Sequence, residues 1–110
     1  MPRGELLGSL EHVVLLAVLR LGADAYGVTV RREIADRTDR DISLGATYST
    51  LDRLERKGYV KSKTGEPTAE RGGRAKRHFE ITPAGVAAIR VSQAAIERMA
   101  SGLKRAWSSS

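Results

Sequence analysis

Between Ser9 and Leu21 the chain is almost continuously apolar, and Val13 to Leu19 contains no polar residue at all. Ser9 is a good N-cap, Glu11 sits in the first turn where the helix dipole favours an anion, and Gly22 is a stop signal. Length and caps together favour a helix over a buried strand. A helix apolar on nearly every face must be covered on most sides, by its own domain or by a partner. After the turn Ala23-Asp24-Ala25, Tyr26, Val30 and Ile34 recur at every fourth position among Arg31, Arg32, Asp36 and Arg37. This predicts a thin amphipathic helix from Tyr26 or Gly27 to Thr38, followed by a connector at Asp39–Ile42. A third helix runs over Gly45–Lys57, with Ser43 to cap it and Gly58 to close it in a left-handed conformation. At about 100° per residue, Leu44, Thr47, Tyr48, Leu51 and Leu54 fall on one side of it. Gly45, Ala46, Ser49, Asp52, Arg53 and Arg56 fall on the other, with Thr50 and Lys57 near its edge.

Beyond Gly58 the period changes from helical to alternating. Tyr59–Lys63 and Lys76–Ile81 each form a short strand pattern, separated by a polar, glycine-containing stretch too hydrophilic to bury. Together they predict a β-hairpin with a long basic loop. Thr82-Pro83 then starts a helix, with Thr82 as N-cap and Pro83 in the first turn. Continued to Ala106 it would be about 36 Å long. Val86, Ile89, Gln93, Ile96, Ala100, Leu103 and Trp107 follow in steps of three and four, a heptad-like seam weakened by Gln93 and Ala100. Three short helices and a hairpin, followed by a long helix, define an α+β, mostly α architecture: a winged helix-turn-helix with a long C-terminal dimerisation helix. The expected division is a DNA-binding domain over 1–82 and a dimerisation helix with a short tail over 83–110.

Composition narrows the function. With 110 residues the chain makes one domain, and with no cysteine it has no disulfides, thiolate chemistry or Cys-based zinc sites. His12 and His78 are its only histidines, and neither has an acidic or histidine cluster at ligand spacing, so no metal or other cofactor is expected. No nucleophile is paired with a base and no carboxylate pair occupies an apolar pattern, so the chain is not expected to be an enzyme. The apolar runs are far shorter than the roughly 20 residues that span a bilayer, and no secretory leader pattern is present, so a cytoplasmic protein without membrane contact is expected. The formal charge is +6. Residues 52–77 hold nine bases against four acids, whereas residues 1–51 hold six against seven. On its own this segregation could be a solvated basic face. Because it coincides with the end of the third helix and the hairpin, it points to duplex DNA. Single-strand RNA readers usually expose stacking aromatics, and aromatic residues here are only 5%.

Leu7–Leu19, Ala25-Tyr26-Gly27, Gly45–Val60 and Arg77–Gly85 resemble, in this order, the corresponding segments of PadR-type transcriptional regulators. The resemblance covers about residues 7–90, and the Gly45–Gly58 block is its most specific part. Ser49 stands where many members carry proline, and His78 where an aromatic is frequent. The resemblance implies a homodimeric winged-helix repressor of the short type, its C-terminal helix packed on the other subunit. It also implies, as in some members, relief by a small aromatic or drug-like effector.

On this reading Ser49, Thr50 and Arg53 are the candidates for base edges. Gly45 and Ala46 would let the helix N-terminus approach a phosphate. Tyr48 lies between the faces, packing in the core or touching a phosphate with its hydroxyl. Lys61, Lys63, Arg74, Lys76 and Arg77 are candidate phosphate contacts, and Arg71, Gly73 and Arg74 at the loop tip could enter a narrow minor groove. Val86, Ile89, Ile96, Met99, Leu103 and Trp107 are the candidate dimer contacts. Trp107 is an interface anchor first and an effector-site residue second. The partners expected are a pseudo-palindromic DNA operator, a second copy of the chain and a small aromatic effector. The competing readings are a small-molecule sensor with a dimer-interface cleft and a winged-helix protein-interaction adaptor.

Overall fold

The computed structural model describes residues 6–64 and 76–108. In chain order the elements are α1 (Ser9–Leu21), a 3-10 turn (Gly22–Asp24), α2 (Gly27–Thr38), α3 (Leu44–Arg56), β1 (Val60–Thr64), β2 (Arg77–Ile81), α4 (Pro83–Ala100) and α5 (Lys104–Ser108). The apolar run of α1 is covered by its own domain: α1 packs against α2, α3, α4 and β2. Val14, Leu15 and Val18 are buried there beside Val30, Ile34, Leu51, Leu54, Val60 and Phe79, which form a single core. The cap of α1 differs from expectation. Gly8 is the N-cap, because the Glu11 carboxylate reaches back to accept its N–H, which leaves Ser9 as the first helical residue.

The close of α3 follows the expected chemistry. Ser43 Oγ accepts the Ala46 N–H at 2.9 Å. At the other end Gly58 has φ +81°, Gly58 N–H donates to the Glu55 carbonyl and Tyr59 N–H to the Leu54 carbonyl. This pair of bonds satisfies the last carbonyls and turns the chain directly into β1. β1 and β2 pair antiparallel from Val60↔Ile81 to Thr64↔Arg77, each starting one residue later than predicted. A backbone bond from Phe79 N–H to the Ala25 carbonyl (2.8 Å) and a bridge between Tyr26 and His78 lay the start of α2 along the free side of β2.

Thr82 caps α4 by accepting the Gly85 N–H, and its hydroxyl donates to the Gly58 carbonyl at 2.6 Å. Gly85 itself is required by packing, since a Cβ there would lie 2.2 Å from the Tyr59 carbonyl oxygen. One prediction fails here. The helix starting at Pro83 does not continue to Ala106 but ends at Ala100, and Gly102, with φ +85°, turns the chain before α5. At 1.5 Å per residue α4 is about 27 Å long. The heptad seam is therefore split between two helices. Its member Ile89 is buried in the chain's own core, with only 7% exposure, so it is not available as a dimer contact.

Candidate nucleic-acid interface

α3 carries its polar face as a stripe. Gly45, Ser49 and Arg53, each one turn beyond the last, are exposed, and Arg56 continues the exposed edge. Ala46 is half-buried beside them. Thr50 departs from expectation. It is 2% exposed and its hydroxyl donates to the Ala46 carbonyl at 2.8 Å, so it is a core residue and not a base-reading one. The physical reason is rotational: at the edge of the polar face, a short β-branched side chain turns inward and satisfies its hydroxyl on its own helix. Tyr48 is half-buried and packs against the core. Its ring lies over the first turn of α2, where a Cβ on Gly27 would come 2.3 Å from Cζ. The glycine lets α2 and α3 approach at the closeness a helix-turn-helix needs.

The hairpin is joined to α3 through the carboxylates of Glu55 and Asp52. Glu55 accepts from the Ser62 N–H (3.1 Å) and hydroxyl (2.7 Å) on β1, and from Arg77 Nη2 (2.7 Å) on β2. The Ser62 hydroxyl is the largest influence on Glu55; although burial works the other way, its pKa is lowered with the further help of the Ser62 N–H and Arg77. Arg77 also meets Asp52 at 3.0 Å. An expected phosphate contact is thus turned inward to brace the wing against α3. On the other side of α3, Lys57 Nζ donates to both oxygens of Glu11 (3.2 and 3.0 Å), and Arg53 Nη1 stands 3.9 Å from the same carboxylate. Burial raises the Glu11 pKa, but the Lys57 and Gly8 hydrogen bonds and the charges of Lys57 and Arg53 outweigh it, and the net direction is down.

The carboxylates flanking α3 are therefore committed to cations of the same chain, which leaves its polar stripe positively charged. On the hairpin, Lys61 and Lys63 are exposed on the face opposite Val60, and Lys61 makes a 3.7 Å solvent-exposed pair with Glu80. Lys76 lies over the Tyr26 ring, 4.5 Å from its centroid, and donates to the Tyr26 hydroxyl at 3.2 Å. Arg71, Gly73 and Arg74, the expected tip contacts, lie outside the described residues.

The histidines have structural partners. His78 meets Tyr26 edge-on at 5.3 Å, and buried His12 of α1 shares a hydrogen bond with Ser92 of α4 (3.3 Å). Among the described residues no cluster of three potential metal ligands occurs, and no helix is long and apolar enough to cross a membrane. Of the expected dimer contacts, Val86 is half-buried, whereas Ile96, Met99, Leu103 and Trp107 are exposed, Met99 at 80% and Trp107 at 57%. Reading the sequence did not single out Glu11, Lys57, Glu55 or Ser62 as parts of the site. Its one available signal was Glu11, a lone acid preceding a wholly apolar run.

Three helices with the third facing outward, braced to a basic two-stranded wing, make this a winged helix-turn-helix protein. Residues 15–91 match the model of the transcriptional regulator PadR-like family, and the chain belongs to that family. Solved structures agree in fold. A PadR family transcription regulator from Clostridium difficile R20291 superposes with a TM-score of 0.73 at 18% identity, over 89% of this chain and 97% of that one. A transcriptional regulator from Clostridium thermocellum gives 0.69 at 26% identity, over 87% and 90%. A PadR family regulator from Eggerthella lenta gives 0.68 at 22%, over 89% and 85%. No curated protein matches the chain by sequence.

Proposed function

We propose that this protein is a sequence-specific, DNA-binding transcriptional regulator that acts as a homodimeric repressor in the cytoplasm, and we assign it no enzymatic activity. The observation that carries this reading is the exposed stripe Gly45–Ser49–Arg53 on α3, with the neighbouring acids Glu11, Asp52 and Glu55 all held by cations of the same chain. In this reading α3 enters the major groove, Ser49 and Arg53 meet base edges, and Lys61, Lys63 and Lys76 contact phosphates. Residues 1–82 form the DNA-binding unit, and residues 83–110 join two copies through Ile96, Met99, Leu103 and Trp107. A two-fold dimer calls for two half-sites related by the same symmetry, spaced by about one helical turn or a multiple of it. A small aromatic effector is proposed to act at the Trp107 surface, releasing DNA by favouring a second arrangement of the dimer.

Selection from random duplexes tests recognition and symmetry together, and a paired, inverted motif is the expected outcome. Binding to the selected duplex should weaken steeply with salt. Three phosphate contacts from each protomer would give a log–log slope of about −5. A flat salt dependence, or no enrichment of any duplex, would count against DNA binding. Quenching of Trp107 fluorescence by planar aromatics without any DNA binding would instead favour a small-molecule sensor.

A further inference from the structure

The carboxylate that joins α1 to α3 is placed to influence DNA reading as well as packing. Glu11 is 6% exposed, and its two oxygens are already held by the Gly8 N–H and Lys57 Nζ, so it cannot follow a mobile partner out into solvent. Arg53 reaches back towards this fixed anion, with Nη1 3.9 Å from Oε2, while its side chain remains 52% exposed. A guanidinium has five donors, so one edge directed at Glu11 leaves the others for a base or a phosphate. An exposed arginine without such an anchor samples many rotamers and loses that freedom whenever it is fixed against DNA. Lys57, four residues on, is drawn inward by the same carboxylate.

We propose that Glu11 is a specificity-determining positioning residue for DNA recognition, which restrains Arg53 for base reading and withholds Lys57 from the phosphate-contacting set. The proposal rests on the DNA-binding reading given above. Its signature is a change in discrimination rather than in overall affinity. Removing the buried charge takes away the anion that Arg53 and Lys57 face, so non-specific attraction holds or increases while the advantage of the selected duplex shrinks. A purely structural role would instead weaken binding to all duplexes together.

The test uses the full chain and the Glu11→Gln variant, whose amide keeps the size and an acceptor for Gly8. The affinity ratio of selected to random duplex should fall about fivefold or more, the low end of what one arginine–base contact is worth. In an Arg53→Ala background the same substitution should change that ratio by less than about twofold, within the scatter of such cycles, whereas uncoupled sites would give the full fall again. Lys57→Gln should leave the salt slope unaltered, whereas Lys63→Gln, which removes one contact from each protomer, should reduce it by about 1.8. The lysine pair gives the decision even if Glu11→Gln fails to fold. An unchanged ratio in Glu11→Gln, an equal fall without Arg53, or a slope reduced by Lys57→Gln overturns the proposal while DNA binding stands. Failure of the unaltered protein to bind any duplex overturns both.

Discussion

At Gly85 the helix that follows the wing passes against the backbone of Tyr59, and an added methyl group would meet a carbonyl oxygen at 2.2 Å. A backbone atom cannot swing aside as a side chain can. Gly85→Ala should therefore destabilise the fold by about 1–3 kcal/mol, as overpacked sites do. A lower urea midpoint with an unchanged slope would be the expected reading, and an unchanged midpoint would contradict it. Glu11 and Glu55 govern a different property. Both have pKa values held below their ordinary range: Glu11 despite the upward push of burial, and Glu55 chiefly by the Ser62 hydroxyl. A carboxylate whose folded pKa is depressed contributes stability above its unfolded pKa and loses it as pH falls through the folded value. Stability should thus be flat through neutral pH and fall as acid takes the solution through and below the usual carboxylate range. Urea titrations at a series of pH values check this, and Glu11→Gln should make the acid limb shallower. Identical limbs in the variant and the parent would remove Glu11 from the account.

Among the elements, α3 is held from both ends of the molecule: Lys57 and Arg53 face Glu11 of α1, while Glu55 and Asp52 face Ser62 and Arg77 of the hairpin. Part-buried hydrogen bonds from Glu55 to Ser62 and Arg77 thus hold the wing against the third helix. Between α4 and α5 the backbone leaves the helical region at Ser101. Gly102 takes φ +85°, a conformation that costs an L-residue roughly 1–2 kcal/mol. Gly102→Ala should therefore favour one continuous helix from Pro83 towards Ser108, seen as a stronger helical signal in circular dichroism. No gain in helicity would mean that packing, and not the glycine, imposes the break.

For the whole molecule the exposed apolar residues of the C-terminal region are the informative ones. Ile96 is 49% exposed, Leu103 46%, and Met99 and Trp107 more than half. In the proposed dimer these are the surfaces covered by the second copy. Met99→Asp puts a charge at such a contact and should raise the dimer dissociation constant at least about tenfold, the order expected for an interface hot spot. Sedimentation velocity over a concentration series would read this. DNA affinity should drop with it, because two half-sites can no longer be engaged together. An unaltered association constant would place the interface elsewhere.

Reading the chain by itself determined the elements from α1 to the start of α4, with the bounds of α1 and the caps at Ser43, Gly58 and Thr82, because these rest on local chemistry: apolar period, side-chain oxygens and glycine φ; it missed the end of α4 at Ala100. It also placed Gly45, Ser49 and Arg53, with Ala46, Asp52 and Arg56, on the polar face of the third helix, since one face of one helix is a matter of residue spacing. The inward turn of Thr50 and Arg77, and the burial of Ile89, were beyond its reach. Each depends on what lies across from the side chain, and those neighbours come from residues far away in sequence. The same holds for Glu11. From its position it is only an acid in a first turn, favoured by the helix dipole. Tertiary packing alone brings Lys57 and Arg53 to it from more than forty positions away, and turns a helix-capping residue into an anchor for the third helix.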